Sequence, residues 1–214
     1  MPKEIDLNSE KFKDYSYNEL NSRGSQLKDG NLDLEFELAS VKKYFLDNVN
    51  KNVRYFKTYK EKINYLVDND YIDGDMINNY DFEFIKGLMK ELMAYKHRFT
   101  RLLGAKKFYE QYAMKDDAGE ILLELYEDRI LFVSLYLADG DEELARNIAN
   151  EIITGTFQPA TPTFLNAGRV RSGELVSCFL LTMEDSLSSI YRNISNVAQL
   201  SKRGGGVGKL YTFH

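Results

Sequence analysis

A single cysteine, Cys178, occurs among the 214 residues, so no disulfide can close within the chain. Histidine is nearly as scarce: His97 and His214 stand too far apart in sequence for metal-ligand spacing, and no metal site is expected. Long apolar runs are lacking, and the opening MPKEIDLNSEKFKDYSYNEL does not have the basic-then-apolar layout of a signal peptide. A soluble, cytoplasmic protein with no membrane partner is expected. The net charge is −5 with both signs interspersed, which leaves no basic footprint for nucleic acid and no single-sign tail. Internal repeats and low-complexity linkers are missing too.

What is present is core-forming material: 43% of the residues are hydrophobic and 13% aromatic, enough for one sizeable core or two small ones. Leu34, Leu38, Val41, Phe45 and Val49 recur at helical spacing, and Ile63, Leu66 and Val67 mark another amphipathic segment. A third helix is expected from Asp81, a plausible N-cap, through Phe82, Ile85, Leu88, Met89 and Leu92. From Glu120 to Ala138 the apolar content is almost continuous, which predicts a helix buried all round. ADGDEELA then supplies a turn and an Asp141 cap for a helix carrying Leu144, Ile148 and Ile152.

The segment FQPATPTFLNAGRVRSGELVSC, residues 157–178, is different in kind. Pro159 and Pro162 flank Thr161, and each pushes the residue before it out of the α region, so an extended or turned loop is expected. Residues 175–181, LVSCFLL, read as a buried strand bearing Ser177 and Cys178. On local sequence alone a lone cysteine is a small buried hydrophobe. RGGGVGKL is not a phosphate loop: Arg203 stands where the first glycine is needed, and Leu210 follows Lys209 where Ser or Thr is needed. The dinucleotide fingerprint fails as well, at Lys209.

The succession QPATPTFLNAG, GELVSCFLL and EDSLSSIYRNISNVAQLSKRGGGV closely resembles the large (α) catalytic subunit of class I ribonucleotide reductases, specifically class Ib. SYNELNSR, KYFLDNVN, FKTYKEKINYLVDNDYI, KFYEQYAM and LLELYEDRILFVSLYLADGD resemble the helical N-terminal region of the same subunit. The resemblance implies a mainly α fold: a helical class Ib N-terminal domain over 1–95, a helical large-subunit domain over 96–160, and the first βα elements of an incomplete α/β barrel over 161–214. The chain would be roughly the first third of the subunit, and the ending GKLYTFH departs from the family pattern and reads as foreign sequence.

The same resemblance carries roles onto residues. Cys178 would be one half of a dithiol that reduces the ribose, with Thr161, Ser177, Cys178 and Gly206 holding the substrate. Asp185, Ser186 and Leu187 match the specificity-effector site for a nucleoside triphosphate, although capping of a helix with Leu187, Ile190, Ile194 and Val197 on its apolar face accounts for them equally. The complete enzyme would reduce ribonucleoside diphosphates for DNA synthesis. It would need the remaining part of the α subunit, a radical-generating β subunit with a di-metal tyrosyl cofactor, and a thioredoxin-like or glutaredoxin-like reductant; homodimerisation through the effector-site helix is expected. No cofactor is expected on this chain, which alone should be inactive. The alternative is a non-catalytic helical fragment that dimerises or binds an effector nucleotide, or an inactive remnant of an interrupted gene.

Overall fold

The computed structural model describes residues 5–26, 33–171 and 173–212. Residues 213 and 214, the last two of the GKLYTFH ending, lie outside them. In chain order the described elements are α1 (Tyr17–Gly24), α2 (Leu34–Tyr44), α3 (Asn50–Asn52), α4 (Tyr59–Asp68), α5 (Gly74–Asn78), α6 (Phe82–Tyr95), α7 (Leu102–Lys107), α8 (Tyr126–Ala138), α9 (Glu142–Thr154), α10 (Thr161–Asn166), β1 (Cys178–Glu184), α11 (Leu187–Lys202) and β2 (Gly206–Thr212). The mainly helical class holds, with one two-stranded parallel sheet near the end.

Two compact units are formed, one from residues 1–61 and 86–129 and the other from 62–85 and 130–214. In the first, α1 begins at a capping box in which Ser16 and Glu19 exchange hydrogen bonds. Phe12, Leu20 and Ala39 are buried, with Ile5, Leu7, Tyr15 and Phe36 packed around them. Gly24 lets α1 approach α2 closely, because a Cβ there would lie 2.9 Å from the Glu37 nitrogen. The expected helical run over 34–49 changes character at Phe45, where a π-helical turn, Phe45–Val49, follows α2; a second, Phe108–Tyr112, follows α7. Such one-residue wideners leave no mark in a spacing of three and four.

The helix expected from Glu120 starts instead at Tyr126. Before it, Leu122 is extended, bridging to Val53 and to Lys115, and Leu122 and Leu123 are buried there rather than on a helix. A short apolar run reads alike in either geometry, and tertiary bonding decided this one. Buried acids pin the turn: Glu124 accepts from Met114 N (2.9 Å) and Arg129 Nη1 (3.1 Å), and Asp128 accepts from Leu125 N (2.7 Å) and the Tyr59 hydroxyl (3.3 Å). Nor is α8 buried all round, since Tyr136 and Leu137 reach solvent.

The second unit has its core in Leu66, Ile72, Met76, Leu131, Phe132, Leu135, Ala149, Ile152 and Phe164. The Tyr80 hydroxyl donates to Leu135 O (2.7 Å) and accepts from Gly140 N (2.8 Å), tying the turn before α9 in place. Asp141 caps α9 through Leu144 N as expected, and Asp81 accepts from Glu83 N at the start of α6. Beyond α10, Asp73 N donates to Gly168 O (3.0 Å), and Ile72 bridges Arg169. This pairing anchors the segment that leads to β1.

Candidate functional site

The segment around Thr161 is not a loop throughout. Ala160 is extended, but Thr161 opens α10 with Pro162 in its first turn. Proline is tolerated there because the first-turn amides have no helical acceptor to lose. Thr161 is exposed at that helix start, on an element separate from the sheet.

The strand that carries Cys178 alternates with period two. Phe179, Leu181 and Met183 are half-buried, while Cys178, Leu180, Thr182 and Glu184 are exposed, Leu180 by 90%. The expectation of a buried strand is therefore corrected: one face is turned away from α11 and no described residue covers it. Strand assignment also begins at Cys178, three residues later than LVSCFLL suggests.

Helix α11 returns the chain to the start of β1, as a crossover between parallel strands must. Ser186 caps it, its Oγ accepting from Ser189 N (3.3 Å). Asp185 is exposed and takes no part in that cap, so capping accounts for Ser186 and leaves the Asp185 carboxylate spare. Leu187 is the first helical residue and is 74% exposed; Ile194 is exposed as well, so of the expected apolar face only Ile190 and Val197 are half-buried.

The glycine cluster ends α11 and starts β2. Gly204 has φ +85°, the left-handed stop, and Gly205 N donates to Leu200 O (3.0 Å). At Gly205 an added Cβ would stand 2.6 Å from the Phe179 ring, so the ring occupies the space a side chain would need. Gly206 then opens β2 in register with Cys178, and its amide donates to Ser177 O (2.6 Å). Residues 208–212 continue the strand against Leu180–Glu184.

Three of the expected substrate residues are thus brought together: Ser177 and Cys178, whose Oγ and Sγ lie 3.6 Å apart, and Gly206 beside them. An exposed thiol on an open face, next to a hydroxyl and a glycine backbone, can meet a polar ligand and exchange electrons with it. Asp185, Ser186 and Leu187 lie at the opposite end of β1. Two contributors left no motif in the sequence: Phe179, packed under Gly205, and Asn193, 5% exposed, which donates to Thr182 O. Asn193 could have been noticed as a polar residue one turn from Ser189 on a helix with an apolar face.

Comparison with known proteins agrees with this layout. Residues 17–97 match the family described as "Ribonucleotide reductase N-terminal", residues 98–172 "Ribonucleotide reductase, all-alpha domain", and residues 176–212 "Ribonucleotide reductase, barrel domain". The barrel match extends to residue 212, within the ending expected to be foreign. Over 189 residues the chain is 47% identical to "Ribonucleoside-diphosphate reductase subunit alpha" of Bacillus subtilis (strain 168), covering 88% of this chain and 27% of that protein. It is 48% identical over 180 residues to "Ribonucleoside-diphosphate reductase nrdEB subunit alpha" of Bacillus phage SPbeta, covering 84% of this chain and 17% of that protein. With the subunit alpha of Mycoplasma pneumoniae it shares 45% identity over 180 residues, 84% of this chain and 25% of that one. The matched segments span about a quarter or less of the length of these curated relatives. It belongs to the ribonucleotide reductase large-subunit family, an oxidoreductase family, and corresponds to its N-terminal region.

Proposed function

We propose that this chain supplies the N-terminal part of the catalytic subunit of a class Ib ribonucleoside-diphosphate reductase, with helical domains over 1–95 and 96–160 and the catalytic barrel beginning at 161. The observation that carries the reading is the pairing of an exposed Cys178 with Gly206, with Ser177 alongside, inside the segment matched by the family's barrel domain. Cys178 acts as one of two thiols that reduce the ribose 2′ carbon. Two protons and two electrons pass from the thiols to the substrate, the 2′ hydroxyl leaves as water, and the thiols become a disulfide that an external dithiol reduces again. The chain has one cysteine, so the second thiol comes from another segment of polypeptide.

Substrate diphosphate is held by hydroxyls and amides around Thr161, Ser177 and Gly206, where the small side chains permit close approach. A triphosphate effector binds at Asp185, Ser186 and Leu187, and the exposed Leu187 and Ile194 of α11 support pairing with a second copy of the helix. The radical comes from a β subunit that holds its own di-metal tyrosyl cofactor. That exposed α11 face also favours a second reading, a dimerising effector-binding protein without catalysis.

The deciding experiment is CDP reduction by this chain with a class Ib β subunit, a dithiol reductant and a polypeptide carrying the rest of the barrel, using Cys178→Ser as the comparison. Serine keeps the shape and loses the redox couple, so multiple turnover should vanish with the fold intact. Undiminished steady-state dCDP formation by Cys178→Ser would refute the assignment. Triphosphate binding without turnover in any mixture, beside an active intact control, would establish the second reading.

A further inference from the structure

Backbone polar groups of an extended strand alternate between its two edges, so each residue of β1 addresses only one neighbour. Ser177 O accepts from Gly206 N and Met183 O from Thr212 Oγ1 (3.3 Å), so odd-numbered residues face β2. Cys178, Leu180, Thr182 and Glu184 therefore turn their backbone groups to the outer edge, where no strand lies among the described residues.

Two side chains of α11 stand in for a strand there. Ser189 Oγ accepts from Glu184 N (3.0 Å), and Asn193 Nδ2 donates to Thr182 O (3.1 Å) and to Ser189 O (3.0 Å). Positions 189 and 193 are one helical turn apart and share a face. Asn193 is the buried residue of α11, only 5% exposed. Loss of its bonds would remove the side-chain donor that Thr182 O has on α11. The outer edge is thus latched over Thr182–Glu184 and open over Cys178–Leu180.

We propose that Asn193, with Ser189, is a positioning residue for Cys178: it holds β1 by its outer edge against α11, so that the thiol-bearing strand is fixed between this latch and the β2 ladder. Its consequence for turnover rests on Cys178 being the reductant; the positioning itself can be measured without activity.

Because Cys178 is the only cysteine, a trifluoroacetonyl group attached to it gives one 19F resonance from the whole chain. Asn193→Asp keeps the size and removes both donated bonds. It should move or broaden that resonance and, in the unlabelled chain, change the rate of Cys178 alkylation by iodoacetamide about fivefold, the effect of roughly one net hydrogen bond. Asn196→Asp, the same change at an exposed position of α11, should alter neither. Should Asn193→Asp fail to fold, Ser189→Ala, which frees only Glu184 N, should shift the resonance less and in the same direction. A wild-type resonance and alkylation rate in the folded Asn193→Asp chain, or in Ser189→Ala if that is the variant that folds, would overturn the proposal. In the reconstituted reductase Asn193→Asp should lower kcat by more than it raises the nucleotide KM. Normal turnover by Cys178→Ser would remove the reductant reading without touching the 19F result.

Discussion

Gly204, Gly205 and Gly206 are chemically identical neighbours for which alanine should have three different effects. At Gly205 the new Cβ would sit 2.6 and 2.8 Å from two carbons of the Phe179 ring and 3.1 Å from Leu200 O, so ring or backbone must move. Overpacking of this kind costs about 1–3 kcal/mol. At Gly204 nothing lies within 4 Å, and the cost comes from φ +85° alone, about 1–2 kcal/mol, partly offset by the lower entropy of the unfolded chain. At Gly206 the nearest atom, Ser177 O, is at 3.4 Å, an ordinary contact, so stability should change by less than about 0.5 kcal/mol. Thermal melts resolve these differences, since 1 kcal/mol moves Tm by about 2–4 °C in a chain of this size. The mechanism is separated by Phe179→Val, which should rescue most of the loss in Gly205→Ala and none in Gly204→Ala. Only Gly205→Ala should also change Cys178 alkylation, because Phe179 adjoins it in the strand. Equal losses at all three positions, or no rescue by Phe179→Val, would refute the argument that Gly205 exists to admit the ring.

Glu124→Ala should cost about 3–5 kcal/mol by urea denaturation, since it removes a carboxylate from a pair with both side chains 0% exposed, whereas Glu124→Leu with Arg129→Met should cost far less; equal losses would mean that the pair acts through packing. His97 has its pKa lowered from 6.5, first by burial against Phe99 and Tyr126 and then by Arg98. The folded state therefore keeps it neutral while the unfolded state takes up a proton. Its contribution is complete above pH 6.5 and is lost as pH falls below that value, so His97→Gln should flatten the stability change measured between about pH 7.5 and pH 5.5. Ser186→Ala should destabilise α11 by about 1 kcal/mol. Asp185→Ala should leave the melt unchanged and, if the carboxylate serves an effector, weaken triphosphate binding more than substrate binding; the reverse order would count against an effector role.

Helix positions were legible wherever a polar cap preceded a regular apolar stripe, as at Asp81 and Asp141, because both signals are local. Legibility failed where geometry depends on distant partners. Leu122 is extended because Val53 and Lys115 bridge it, Phe45 leads into a π turn that no spacing announces, and Pro162 lies within a helix because that helix begins just before it. The thiol, its serine neighbour and the glycine run were marked as a candidate site by the family resemblance alone, since locally a lone cysteine reads as a small buried hydrophobe. Only the register of β1 on β2 brings Gly206 beside Cys178, and only the side of the strand on which Thr182 O emerges gives Asn193 its role. Residue type and local spacing are properties of the chain, whereas which edge of a strand is open is a property of what packs beside it.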